Sequence, residues 1–144
     1  MRNIETPQVI NAPIKEVWDA FIDFSSYPNW NPFIKSLKGK PEVGEQLVAE
    51  LSLPGKKPII FKPTVLKAIP NQEFRWLGKL FVKGLFDGEH YFKLEKLGDN
   101  QTRFIQGENF RGLLSSVLFK MIGEETKRGF DEMNEALAKE IEQP

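Results

Sequence analysis

Hydrophobic and polar residues alternate along most of the chain between residues 33 and 112, which is the period of a half-buried β-strand. Successive runs are bounded by turn residues such as Pro54-Gly55, Pro70-Asn71 and Gly98-Asp99. Repeated short strands with polar turns and one apolar face predict an antiparallel meander that is covered on one side. The residues on the inward side of its last three strands are Phe74, Trp76, Gly78 and Leu80, then Phe86, His90, Phe92 and Leu94, then Phe104, Gln106, Glu108 and Phe110.

The two ends of the chain show the 3.6-residue spacing of amphipathic helices. After a first predicted strand at residues 3–11, the spacing of Ile14, Val17, Trp18 and Phe21 predicts a short helix. Two prolines break residues 23–32 into a turn or helical elbow. Near the C-terminus, apolar residues at helical spacing over residues 114–141 predict a long helix that can cross the whole sheet.

These elements predict an α+β fold in which a curved antiparallel sheet of about seven strands wraps around the long C-terminal helix. Their order is one strand, two helical segments, six strands and the long helix. We expect a single domain over residues 1–144, because domains of about 100–150 residues are common.

Composition narrows the chemistry that the chain can support. Twenty basic residues balance twenty acidic ones. The chain therefore lacks the excess of basic residues that is typical of nucleic-acid-binding proteins, and we expect no nucleic-acid partner. The absence of cysteine excludes disulfides and thiol nucleophiles, and the single histidine excludes a two-histidine metal site. We find no secretory signal, membrane-inserting segment or cofactor fingerprint. We therefore expect a cytoplasmic protein, monomeric or weakly dimeric, that needs no cofactor or metal.

Three local motifs resemble those of the START-like (SRPBCC) superfamily, which includes pollen-allergen-like, lipid-transfer and polyketide cyclase-like proteins. The resemblance covers essentially the whole chain, and the late hairpin is similar to that of a bacterial branch. The motifs are Ile10-Asn11-Ala12-Pro13 with Val17-Trp18, the elbow Tyr27-Pro28-Asn29-Trp30-Asn31-Pro32-Phe33, and the late segments Gly88–Glu95, Thr102–Phe104 and Gly107–Gly112. The resemblance implies a helix-grip fold with an internal cavity for lipid-, sterol- or polyketide-like molecules.

His90 and Glu108 are the candidate catalytic residues. Both are on the inward side of their strands, and a register that pairs Leu94 with Phe104 places them directly opposite each other. An imidazole beside a carboxylate in an apolar setting can form a general acid/base pair for a cyclisation or dehydration. Alternatively, the two groups satisfy each other structurally or anchor the polar end of a ligand.

Other residues are candidates for ligand contact in the implied cavity. The inward aromatic residues either line the cavity or form ordinary core, and Trp76 beside Gly78 is the leading candidate among them. Trp30 lies in the elbow that often forms one rim of the cavity mouth in similar proteins; alternatively, it has a packing role. The full ligand-binding set is Trp30, Phe74, Trp76, Phe86, His90, Phe92, Phe104, Glu108, Phe110, Met121, Glu125, Gly129 and Met133.

Three functions fit this pattern. The favoured one is binding or carrying of a small hydrophobic molecule, because the sequence shows an inward polar pair but no recognisable catalytic motif. The first alternative is a cyclase- or dehydratase-type enzyme that uses His90 and Glu108. The second is a protein-interaction role similar to that of a chaperone co-factor, for which an exposed apolar patch is expected.

Overall fold

The structure is a computed structural model that describes residues 2–80, 86–113 and 115–143, without the side chains of Leu80, Phe86 and Leu118. Eight strands and three α-helices are found within these residues. The strands are β1 (Arg2–Ile10), β2 (Ile34–Lys38), β3 (Val48–Leu51), β4 (Ile59–Phe61), β5 (Thr64–Ile69), β6 (Glu73–Leu80), β7 (Phe86–Gly98) and β8 (Gln101–Arg111). The helices are α1 (Ile14–Ile22), α2 (Tyr27–Trp30) and α3 (Ser115–Glu142), with a 3₁₀ turn at Phe24–Ser26 before α2.

The strands form two antiparallel sheets, with orders β1-β8-β7-β6-β5 and β2-β3-β4. Residues Ile59–Ile69, which alternate like one continuous strand, form two strands, so seven strands rather than the predicted six follow the helical elbow. Pro63 lies at the break, where its lack of an N–H prevents a continuous ladder. The carbonyl of Pro63 instead accepts a hydrogen bond from the Leu47 amide at 2.8 Å, which joins the two sheets.

The long helix α3 packs against β1 and β8, and α1 packs against β7, β8 and α3. This arrangement confirms the predicted α+β helix-grip architecture. The β7–β8 register pairs Leu94 with Phe104 and His90 with Glu108, as the alternation of side chains predicts. Because the neighbouring strands are also in register, the inward side chains form rows across the sheet.

One end of the interior is filled by aromatic rings. The ring of Phe21 on α1 lies 5.8, 4.6 and 5.6 Å from the rings of Phe74, Phe92 and Phe104 on the sheet, measured between centroids. All four residues have at most 1% of their surface exposed. Tilted and edge-on aromatic contacts at these distances are favourable beyond simple burial. This part of the interior is therefore solid core.

Helix α3 approaches the sheets closely at Gly129. A β-carbon at this position would collide with the ring of Phe33. The Phe33 ring also packs edge-on against Phe130 of the helix, with 5.5 Å between the ring centroids. Glycine at residue 129 therefore allows the helix to pack closely against Phe33. Glycine at residue 129 makes the helix less stable by about 1 kcal/mol than alanine would, but it permits this contact.

Candidate functional site

A cavity of about 70 Å³ lies at the opposite end of the five-stranded sheet from the aromatic core. Residues from both sheets and from α3 line it, and all but Glu108, Thr126 and the two glycines have apolar side chains. The lining residues are Phe33, Leu51, Leu53, Ile59, Phe61, Gly78, Gly88, Glu108, Phe110, Ile122 and Thr126. We call this space the glycine-end cavity.

The cavity exists because one row of the sheet has no side chains at its centre. Gly78 of β6 pairs with Gly88 of β7, so two adjacent strands present only backbone to the interior. A β-carbon at Gly78 would lie 3.2 Å from the ring of Phe61, and one at Gly88 would collide with the carboxyl group of Glu108. Glycine is therefore required at residue 88 for the Glu108 side chain to lie where it does.

Glu108 is the acidic residue of this lining. Its side chain leans from the next row of the sheet over Gly88 and is 17% exposed. Burial among apolar groups disfavours the carboxylate and raises the pKa of Glu108 to about 8. At pH 7 the group is therefore mainly an un-ionised carboxylic acid, which donates one hydrogen bond.

His90 lies one layer deeper than Glu108 and does not line the cavity. Its side chain is 3% exposed, and its ring is stacked on Phe92 at 4.6 Å and contacts Trp76 at 5.1 Å and Phe130 at 4.8 Å. Burial lowers the pKa of His90 to about 4, although its hydrogen bond to Gln106 opposes the change. The imidazole is therefore neutral at pH 7.

A buried chain of hydrogen bonds fixes the tautomer of His90. Asn134 Nδ2 donates to the Thr6 carbonyl at 3.3 Å, and Gln106 Nε2 donates to Asn134 Oδ1 at 2.7 Å. The remaining oxygen, Gln106 Oε1, lies 2.9 Å from His90 Nε2. Because the Thr6 carbonyl can only accept, each amide along the chain must be oriented as described. His90 therefore donates from Nε2, and its Nδ1 carries the lone pair.

The lone pair of His90 is directed to the same region as the Glu108 carboxyl group. His90 Nδ1 lies 3.8 Å from Glu108 Oε1, which exceeds the length of a direct hydrogen bond. With His90 neutral and Glu108 protonated, the two groups form an acid and a base rather than an ion pair. At this distance the two groups do not hydrogen-bond to each other directly, and the hydrogen bond of His90 runs from its other ring nitrogen to Gln106.

Two of the predicted ligand-contact residues, Glu108 and Phe110, line the cavity. The remaining inward aromatic residues are core, because the Phe21 ring and the rings of their own sheet fill the space around them. Their exposed surface is at most 1%, as is that of Met133 on the helix. The core group comprises Phe74, Trp76, Phe92, Phe104 and Met133. The side chain of Phe86 lies outside the described residues.

The expectation that Met121 faces the cavity is wrong, since its side chain is 65% exposed. Met121 and the buried Phe130 are nine residues apart, which is two and a half helical turns and therefore the opposite side of the helix. Glu125 also does not line the cavity and lies 3.7 Å from Lys56. Gly129 is occupied by its contact with Phe33.

Trp30 does not form a rim of the glycine-end cavity. Its indole nitrogen donates to the Ser26 hydroxyl at 2.9 Å, and its ring packs edge-on against Tyr27 at 5.1 Å. The half-buried ring borders a shallow surface groove with Ala136 and Lys139, near the C-terminal end of α3. The elbow that holds it is thus a packing element at the other end of the helix.

The sequence reasoning missed the amides that orient His90 and most of the cavity lining. Gln106 has the inward parity of its strand, which is the signal that could have identified it. Asn134 follows the buried Met133 and is itself 1% exposed. Its burial depends on how the helix is rotated about its axis, which the sequence does not show. The paired glycines also gave a signal, because glycine within a strand marks a bulge or an unusually close approach.

The curved sheet, the long C-terminal helix and the apolar cavity between them define a helix-grip protein of the START-like class. The chain belongs to the polyketide cyclase/dehydrase and lipid transport family, whose model matches residues 1–142. No curated protein matches the sequence at a significant level. Within the described residues, no helix combines the length and the apolarity needed to span a membrane.

Solved structures show the same fold at low sequence identity. The Zhui aromatase/cyclase from a Streptomyces species is 13% identical with a TM-score of 0.80, and the match covers 99% of this chain and 94% of that one. A START superfamily protein from Mycobacterium smegmatis is 20% identical with a TM-score of 0.74, covering 98% and 97%. Norcoclaurine synthase from Thalictrum flavum is 13% identical with a TM-score of 0.74, covering 97% and 86%. Identities this low establish similarity of fold alone.

Proposed function

We propose that this protein binds and carries a small, mainly apolar molecule whose polar end enters the glycine-end cavity. The observation that supports this function best is the lining itself, in which apolar side chains surround the Glu108 carboxyl group. Ligand sites are typically apolar hollows with a small number of polar groups that fix orientation. The family's description as cyclases, dehydrases and lipid transporters agrees with such a ligand.

The volume of the cavity limits how much of the ligand it can hold without rearrangement. An apolar cavity of about 150 Å³ is known to hold benzene, and the glycine-end cavity is about 70 Å³. A lipid- or polyketide-like molecule must therefore enter by one end, with the rest outside or with side chains displaced. Phe61 and Ile59 are half-buried at the cavity, so they are the side chains best placed to move.

Native mass spectrometry of the protein purified from its own host tests this proposal. We expect a fraction of the protein to carry an additional small-molecule mass that organic solvent removes. Gly78→Ala should reduce that fraction, because the added methyl group enters the cavity beside Phe61. Gly98→Ala is the matched control, since a β-carbon there meets nothing within 4 Å. Equal occupancy in both variants, or no bound mass in any preparation, would contradict the proposal.

The second candidate function is catalysis by the same pair of residues. The observation that favours it is the un-ionised Glu108, because a general acid is most effective when its pKa lies near the working pH. In such a reaction Glu108 would protonate a ligand oxygen, and the carboxylate that remains, which is a stronger base than His90, would take a proton back from the ligand. With a pKa of about 4, His90 is a weak base at neutral pH. The case for Glu108 as a general acid is therefore stronger than the case for His90 as a general base.

The two functions predict different behaviour of His90→Gln and Glu108→Gln. If the protein is a carrier, both variants release the bound molecule chemically unchanged from that of the wild type. If it is an enzyme, the variants retain a substrate whose mass differs from the product found with the wild type. The mass of a water molecule, about 18 Da, would identify a dehydration.

A further inference from the structure

We propose that the glycine-end cavity selects ligands that present a neutral hydrogen-bond acceptor, such as a ketone or hydroxyl oxygen, and rejects ligands that present a carboxylate. This inference rests on the proposed function and specifies the chemical class of the ligand's buried end. Its basis is the Glu108 carboxyl group, which lies over Gly88 in an apolar lining, while His90 Nδ1 at 3.8 Å is too distant to bind its proton directly.

The lining offers few polar groups to a ligand. Among the described lining residues, only Glu108 and Thr126 have polar side chains. Strands β3 and β4 contribute Leu51, Ile59 and Phe61, which cannot hydrogen-bond through their side chains. A ligand oxygen that enters this space is therefore stabilised mainly by a hydrogen bond from Glu108.

Among the described residues, three titratable groups on neighbouring elements lie near Glu108 in the fold, and none of them hydrogen-bonds to it. On β7, His90 is neutral and its Nδ1 lies 3.8 Å from Glu108 Oε1. On β1, the residue opposite Glu108 is the apolar Ile4, and Glu5 beside it hydrogen-bonds to Tyr91 on the outer face. On α3, Glu125 lies beside Lys56 rather than in the cavity lining.

This arrangement favours acceptors over ions. A ketone or hydroxyl oxygen receives a hydrogen bond from the protonated acid at no electrostatic cost. A ligand carboxylate would have to leave water for an apolar site whose described lining residues include no cation to pair with it, which is strongly unfavourable. An ammonium ligand would require Glu108 to ionise, so its affinity would rise with pH instead of falling.

Four probes of similar size separate these cases: acetophenone, ethylbenzene, benzoate and benzylamine. We would measure their affinities for the full chain by NMR titration between pH 6 and pH 10. Acetophenone should bind about three- to tenfold more tightly than ethylbenzene at pH 7, which is the range that one net hydrogen bond provides. Above about pH 8 its affinity should fall by about three- to tenfold in total, because Glu108 loses its proton there and the hydrogen bond is lost.

Two variants make the assignment specific to Glu108. Glu108→Gln keeps an N–H donor, so it should retain the preference for acetophenone and lose the decrease in affinity at high pH. Glu95→Gln removes a carboxylate from the outer face of β7, where Glu95 pairs with Arg103, and should behave as the wild type.

The outcomes distinguish this inference from the function on which it rests. Equal binding of acetophenone and ethylbenzene would overturn the inference and leave the hydrophobic site intact. Tighter binding of benzoate or benzylamine would also overturn it, since either requires a charged site. If none of the four probes binds, the proposed function fails together with the inference.

Discussion

The two ends of the five-stranded sheet differ in how the interior is filled. At one end, Phe21 of α1 packs among the rings of Phe74, Phe92 and Phe104. At the other end, the paired Gly78 and Gly88 contribute no side chain, and a cavity remains below α3. The same sheet thus provides a rigid aromatic core and an open site, and the difference depends on one row of residues. Stability is expected to come from the first end and ligand binding from the second.

The largest expected effect is a difference in stability between truncations at the two ends. Phe92→Ala should lower the free energy of unfolding by about 3–5 kcal/mol, because it leaves a cavity among fully packed rings. Ile59→Ala should cost about 1 kcal/mol, since this half-buried side chain already borders empty space. Urea unfolding of both variants gives the comparison. Similar losses for the two variants would show that the ends are packed alike.

The next effect is a dependence of stability on pH that comes from Glu108. The pKa of this group is about 8 in the folded protein and 4.5 in its unperturbed form, so the folded state holds the extra proton between these values. Stability therefore falls as pH rises through this window, by about 1.4 kcal/mol per unit. From pH 6.5 to pH 8 the wild type should lose about 2 kcal/mol more than Glu108→Gln.

His90 contributes with the opposite sign at lower pH. Its pKa is about 4 when folded and 6.5 when unperturbed, so its contribution is complete above pH 6.5 and is lost as pH falls towards 4. The interval above pH 6.5 therefore isolates Glu108, and urea unfolding at several pH values measures it. Glu95→Gln serves as the control and should follow the wild type. A Glu108→Gln curve parallel to that of the wild type would show that the Glu108 carboxyl group is hydrated.

A smaller effect distinguishes the two glycines of α3. Gly129→Ala should destabilise the protein by about 1–2 kcal/mol, because the collision with Phe33 outweighs the gain in helix propensity. Gly123→Ala is the matched control, since its β-carbon would meet the Phe119 ring at an ordinary 3.5 Å. This control should gain up to about 1 kcal/mol. Thermal unfolding compares the two, and a gain at both positions would mean that Phe33 does not pack against Gly129.

The smallest expected change in stability is that of Gly78→Ala. The added methyl group contacts Phe61 at a somewhat short 3.2 Å but also restricts the unfolded chain, so the two terms largely cancel. We expect a change within about 0.5 kcal/mol in urea unfolding, together with weaker acetophenone binding. Gly98→Ala should leave the binding unchanged. A large destabilisation by Gly78→Ala would indicate that the cavity is already filled in solution.

The sequence was sufficient to predict the architecture and one pair of residues that lie opposite each other at the site. Side-chain alternation on two strands with a tight turn between them determines the register, which is why the pairing of His90 with Glu108 could be predicted. The position of the cavity could not be predicted in this way. Alternation shows which residues face inward, but the Phe21 ring from another element decides which inward space is filled.

Residues on the helices were harder to assign than those on strands. A broad apolar stripe at the start of α3 left its rotation ambiguous, and Met121 proved to be on the exposed side. The role of Gln106 depends on Asn134, which is 28 residues away along the chain. Such a tertiary hydrogen bond leaves no periodic signal in the sequence. The strand count was also one too low, because Pro63 interrupts a run that otherwise has the spacing of a single strand.

The most direct test of the glycine-end site is an NMR titration of the Glu108 side-chain carboxyl carbon, with and without acetophenone. We predict a midpoint near pH 8 in the free protein, and a higher one with the ketone bound, because the ligand binds the protonated acid. A midpoint near the ordinary value of 4.5, unchanged by the ketone, would contradict the account, since it would mean that Glu108 is ionised and hydrated.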